Sequence, residues 1–76
     1  MEHLEINITT EYIKLDQLLK FSGLAESGSD AKDMILEEIV EVNGEICLMR
    51  GKKIRPGDKI KVTFEDAVVE VNVGAE

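Results

Sequence analysis

Apolar and polar side chains alternate from His3 to Thr9, with Leu4, Ile6 and Ile8 on one face and His3, Glu5, Asn7 and Thr9 on the other. That period of two predicts a half-buried strand over about residues 3–9. The period then lengthens. Leu15, Leu18 and Leu19 recur at i, i+3 and i+4, opposite Asp16, Gln17 and Lys20, and Gly23 follows as a stop signal. This predicts a short amphipathic helix from about Leu15 to Ser22. The polar break Glu26-Ser27-Gly28-Ser29-Asp30 carries capping chemistry, with Ser27 and Asp30 spaced as an approximate capping box and Ser29 as the alternative cap. A second helix is predicted from about Ser29 to Glu38, burying Ala31, Met34 and Ile35. Its end lacks a glycine, because Glu37-Glu38-Ile39 runs straight into Val40.

From Val40 onward the pattern is strand and turn. Val40 and Val42 alternate with Glu41 and Asn43, and Asn43-Gly44 is the residue pair that a two-residue hairpin with positive φ at both positions prefers. Ile46 and Leu48 resume the alternation. After the basic stretch Arg50-Gly51-Lys52-Lys53-Ile54-Arg55, Pro56-Gly57-Asp58 forms a turn. Ile60, Val62 and Phe64 then alternate with Lys59, Lys61 and Thr63, and a last strand is predicted over about 68–73. One strand, two helices and several short strands make a small α+β fold. Its predicted core joins Leu15, Leu18, Leu19, Ala31 and Ile35 of the helices to Val42, Ile60 and Val62 of the sheet. Phe21 and Phe64 read as core as well, leaving no aromatic platform for base stacking.

Composition narrows the function classes. At 76 residues, 43% hydrophobic and 33% charged, the chain is expected to fold as a single domain over residues 1–76. Its longest apolar run, Ile46-Cys47-Leu48-Met49, is far short of a membrane span, so a cytoplasmic protein without a membrane partner is expected. The one cysteine, Cys47, and the one histidine, His3, belong to no ligand or nucleophile constellation. No metal, no cofactor and no catalysis are therefore expected. Net charge is −7, yet residues 50–61 hold six basic side chains against Asp58 alone, a local +5. Salt screens charges beyond about 8 Å, so such a cluster attracts phosphate despite a distant acidic surface. Lys59 and Lys61 read as the soluble outer face of a strand. Arg50, Lys52, Lys53 and Arg55 are the phosphate-binding candidates.

Two blocks of the sequence, taken in order, resemble a known family. Lys14-Leu15-Asp16-Gln17-Leu18-Leu19-Lys20 is similar to the Arg-Leu-Asp-x-x-Leu opening of the RNA-binding domain first defined in small-subunit ribosomal protein S4. Ser27-Gly28-Ser29-Asp30-Ala31-Lys32, Ile35, Val40-Glu41-Val42-Asn43-Gly44 and Pro56-Gly57-Asp58-Lys59-Ile60-Lys61-Val62 continue that pattern over about residues 12–62. Within the family the chain most resembles the small stand-alone YaaA-like bacterial proteins. The resemblance implies an α-L motif, two short helices packed on a small, bent, mostly antiparallel sheet. It also implies recognition of structured RNA, ribosomal or transfer RNA, across the helix pair and the neighbouring loop. The RNA-binding residues it adds are Lys14 and Lys32. Ser27 and Gly28, whose bare backbone lets amides approach a phosphate, and Asn43, which reads first as the turn residue of Val-Asn-Gly, are further candidates. Gly28 and Asp33 stand where many members carry arginine, and the family's helix-ending glycine is replaced in Glu38-Ile39.

Two readings of other classes compete. A ubiquitin-like sulfur carrier is also small and acidic, with Val-Asn-Gly and Gly-Asp-x-Ile-x-Val stretches, but its chemistry needs a terminal Gly-Gly where this sequence reads Gly74-Ala75-Glu76. A protein-interaction module would use the net −12 that lies outside residues 50–61 to dock a protein partner.

Overall fold

Both amphipathic segments fold as helices because their apolar stripes find one another and the same sheet. A computed structural model describes residues 1–76. In chain order the elements are β1 (Glu2–Ile8), β2 (Ile13–Lys14), α1 (Leu15–Phe21), α2 (Gly28–Leu36), β3 (Val40–Val42), β4 (Glu45–Ile46), β5 (Lys53–Ile54), β6 (Lys59–Thr63) and β7 (Val68–Ala75). Five strands form one mixed sheet in the order β1-β7-β6-β3-β4, and β2 and β5 form a separate antiparallel pair. Only β1 and β7 run parallel; the other contacts within the sheet are antiparallel.

The sheet's inward positions are those the alternation marks. Val40, Val42, Ile60, Val62, Val69, Val71 and Val73 are buried, and with Leu15, Leu18, Leu19, Ala31, Ile35 and Ile54 they belong to one core. All eight core residues expected from sequence are in it. The expectation that Phe21 is core fails, and the alternating Ile46 and Leu48 also lie outside the core. Phe21 is 68% exposed, because α1 ends at that residue and turns it away from the sheet, and Ile46 and Leu48 are each 54% exposed. Strand β4 lasts only two residues, so the alternation after Gly44 has no second layer to pack against. Met34 and Phe64 are partly buried against the core.

The outer face of the sheet is polar. Lys61 lies between Glu41 and Glu70 on the neighbouring strands, and Lys59 sits opposite Asn72. The Nδ1 of His3 lies 3.7 Å from Glu70 Oε1. Lys59 and Lys61 thus keep a solvated face, as their alternation with Ile60 and Val62 implies.

The ends of α2 show how local chemistry sets an element's limits. Ser27 is the cap: its Oγ accepts the Asp30 N–H at 3.2 Å, and the helix begins at Gly28. At the other end Glu38 adopts φ +62°, the left-handed conformation that glycine usually supplies after a helix. A side chain with a Cβ is strained there by about 1–2 kcal/mol, against roughly 0.5–1 kcal/mol of extra chain entropy lost by glycine. Glu38→Gly is therefore expected to raise stability by about 0.5–1 kcal/mol, a shift of roughly 2–8 °C in Tm for a chain of this size. A thermal melt that stays put or falls would show that Glu38 carries no such strain.

Candidate functional site

The basic segment is fixed by the helix it touches. Helix α1 starts without a side-chain cap, because its N-cap residue is Lys14. Its first amides bond the basic loop instead: Leu15 N–H donates to the Lys52 carbonyl at 2.9 Å, and Asp16 N–H to the Arg50 carbonyl at 3.0 Å. Two otherwise unpaired donors of the helix end are satisfied this way. The Lys52 N–H closes a tight turn onto the Met49 carbonyl at 3.1 Å, with Arg50 and Gly51 at its centre. The carbonyls point at the helix and the cationic side chains are exposed.

Pairing of β2 with β5 brings in the remaining charges. Lys14 lies directly opposite Lys53 and Ile13 opposite Ile54, which is fully buried beneath them. The Lys53 Nζ stands 5.0 Å from the centroid of the Tyr12 ring, a favourable cation–π distance. Helix α2 closes the other side, where Lys32 and Arg50 border a shallow groove of about 290 Å³ with Ile35, Leu36 and Leu48. Lys14, Lys32, Arg50, Lys52 and Lys53 are all exposed. The structure's one ion pair is His3–Glu70, so none of the five has a carboxylate within 4.0 Å. In a chain of net charge −7, these five cations make no salt bridge.

The other candidates stand differently. Asn43, at φ +52°, forms the hairpin turn with Gly44. Its amide is engaged inside the fold: Nδ2 donates to Asp58 Oδ1 at 3.1 Å, and Oδ1 accepts the Lys59 N–H at 3.0 Å. Arg55 belongs to the following turn, where its N–H donates to Asp58 Oδ2 at 2.8 Å. Asp58 therefore ties the two turns together, and Arg55 flanks the cluster on that side. Ser27 is occupied as the α2 cap. Gly28 lies one helical turn before Lys32 and has open space around the position a Cβ would take.

Sequence reasoning missed the exposed apolar residues beside these cations. Leu36 is 58% exposed and Met49 66%, next to Leu48 and Ile46. A second depression of about 430 Å³ lies between the β3–β4 hairpin and Lys52, lined by Ile46, Cys47, Leu48 and Met49 among others. One signal was readable: Leu48 and Met49 are adjacent, and in an alternating segment both cannot face the core. Cys47 is half-buried, and no group of three or more His, Cys, Asp or Glu side chains is placed to hold a metal ion.

Comparison with known proteins places this geometry. The pattern of the S4 domain matches residues 6–72, a span that takes in both helices, the Asn43-Gly44 hairpin and the basic turn. The chain belongs to the S4 domain family. A relative from Bacillus subtilis (strain 168), named as a probable ribosome maturation protein RlbA, is 40% identical over 57 residues. That alignment covers 75% of this chain and 80% of the relative. In this S4 domain the two helices pack on a mostly antiparallel mixed sheet, as the resemblance implied. No helix is long and apolar enough to cross a membrane.

Proposed function

We propose that this S4 domain is a non-enzymatic module that binds structured RNA, ribosomal or transfer RNA, through the cluster of Lys14, Lys32, Arg50, Lys52 and Lys53. One observation carries the reading: five cations meet on the basic turn and the helix pair, and none is paired with an acid. Lys14 directly opposite Lys53 is a destabilising arrangement by itself. An anion that contacts both lysines removes that repulsion. Folded RNA supplies phosphates at the spacing of a backbone, and contacts of this kind position a protein on RNA without reading bases. Membership of the S4 domain family and likeness to a protein named for ribosome maturation support the same reading. Arg55, at the Asp58 turn, extends the surface along the backbone. Ser27 and Gly28 lie toward the start of α2, where the open space around Gly28 lets a phosphate approach the backbone.

The decisive experiment is crosslinking in cells followed by sequencing of the RNA recovered with the protein. Enrichment of folded ribosomal or transfer RNA segments, lost when Lys52 and Lys53 are both alanine, is the expected outcome. Recovery no greater than that of an unrelated acidic protein of similar size would sink the proposal.

A further inference from the structure

Leu36 and Leu48 face one another across a gap that the rest of the fold leaves open. Leu36 ends α2 and Leu48 precedes the basic turn; each has more than half its surface in water, and Ile35, 1% exposed, is the third apolar wall. Both leucines leave apolar surface in water that a ligand seated in the groove would cover. The rim of the groove is not apolar. Lys32 borders it on the helix side and Arg50 on the turn side, and both are exposed. Apolar walls between two cations suit a ligand with flat, weakly polar faces that is covalently tied to phosphate.

We propose that this groove receives a single unpaired nucleobase of the RNA bound by the neighbouring cations, an inference that rests on the RNA-binding reading above. Paired bases in an A-form helix keep their faces stacked on their neighbours, and its major groove is too deep and narrow for side chains to enter. An unpaired base leaves the stack and seats its faces against Leu36 and Leu48. The Arg50 guanidinium bonds the edge of the base, and Lys32 holds a flanking phosphate. The cluster by itself senses only phosphate; the groove adds a preference for RNA with a bulge or loop at the right place. A second copy of this chain is a poorer occupant. A two-fold contact on this face would set Lys32 and Arg50 against the same cations of the other copy.

The test uses two RNA duplexes, one fully paired and one identical except for a single bulged adenosine. The intact protein is expected to bind the bulged duplex about tenfold more tightly, equivalent to about 1.4 kcal/mol. Leu36→Ser combined with Leu48→Ser changes only residues more than half exposed, so the thermal melt is expected to stay near the parent's. That variant is expected to bind the paired duplex as the parent does while losing the preference. Arg50→Lys, which keeps the charge and removes the planar group, is expected to lose about threefold of it and gives a reading should the double variant fail to fold. A fluorescent adenine analogue at the bulge is expected to change emission with the parent and not with the double variant. Equal binding of both duplexes by the parent, or an intact preference in both variants, overturns the inference and leaves phosphate recognition standing. No binding of either duplex removes the RNA reading as well. Self-association of the parent in sedimentation, abolished in the double variant, would assign the groove to a second copy and likewise overturn it.

Discussion

Replacing Lys52 and Lys53 together with alanine is expected to weaken binding of structured RNA on the order of twentyfold at physiological salt. The figure follows from counterion release, in which each neutralised phosphate adds about −0.7 to −0.9 to the slope of log affinity against log salt. With Lys14, Lys32, Lys52, Lys53 and one of Arg50 or Arg55 each neutralising a phosphate, as proposed, the parent is expected to show a slope of roughly −4. A fourfold rise in salt then weakens its binding a few hundredfold, on the order of 3 kcal/mol. The double variant is expected to show a slope of about −2 to −3, with similar losses for different RNAs because phosphates carry no sequence. Lys20→Ala is the control. Lys20 lies in the last turn of α1, grouped with Ile13, Gln17 and Phe21 and away from the basic turn, and its loss is expected to change little. A binding titration over a salt series decides the matter. A flat response, or an equal loss in the control, would mean that the basic turn is merely solvated and that the partner is a protein drawn to the acidic surface.

The second large effect is on stability. Leu18→Ala is expected to destabilise the fold by roughly 2–5 kcal/mol, since the side chain is fully buried and the cavity cannot fill with water. Proteins hold about 0.05–0.15 kcal/mol of stability per residue, so a chain of 76 residues has on the order of 4–11 kcal/mol to lose. Leu18 stands between Leu15 and Leu19 on the one buried face of a helix of seven residues. A helix that short does not persist without its packing. Its loss also releases the basic turn, whose Arg50 and Lys52 carbonyls are held by the first amides of α1. Denaturant unfolding gives the number. A midpoint equal to the parent's would mean that the buried face of α1 is not the one formed by these leucines.

The two effects are linked by the packing. RNA binding measured on a partly unfolded Leu18→Ala sample is expected to fall with the folded fraction, whereas the Lys52 and Lys53 variant is expected to lose affinity while fully folded. Reading both variants by circular dichroism before titration separates a damaged scaffold from a damaged surface.

Much of this was legible in the chain because the signals are local. Alternation in His3–Thr9 and Lys59–Phe64 marked which side chains face the core, since successive residues of a strand point to opposite sides. The spacing of Leu15, Leu18 and Leu19 did the same for α1. Asn43 and Gly44 announced their turn because both adopt positive φ there, +52° and +88°. Where the signal was partial, so was the reading. Ser27 rather than Ser29 caps α2, a choice between two serines on either side of Gly28 that only the bond to the Asp30 amide makes. Phe21 looked like core by residue type and is exposed by its place at the helix end. Ile46 and Leu48 alternate as a buried strand would, but no element lies over them.

Determined by the sequence alone were the order of the two helices and the five strands of the main sheet, though not the short β2 and β5, together with the hairpin and the concentration of six cations in residues 50–61. Each depends on residues within a few positions of one another. Tertiary structure alone decided that the first strand runs parallel to the last, Leu4 opposite Val71. It also decided that Lys14 lies opposite Lys53, that Arg50 and Lys52 cap α1 by their carbonyls, and that Lys32 and Arg50 border one groove with Leu36 and Leu48. The physical reason is that periodicity fixes which way a side chain points but not which distant side chain it meets. That second choice is made by burying the shared core, and it separates the four cations of residues 50–55 from Lys59 and Lys61 on the outer face of the sheet.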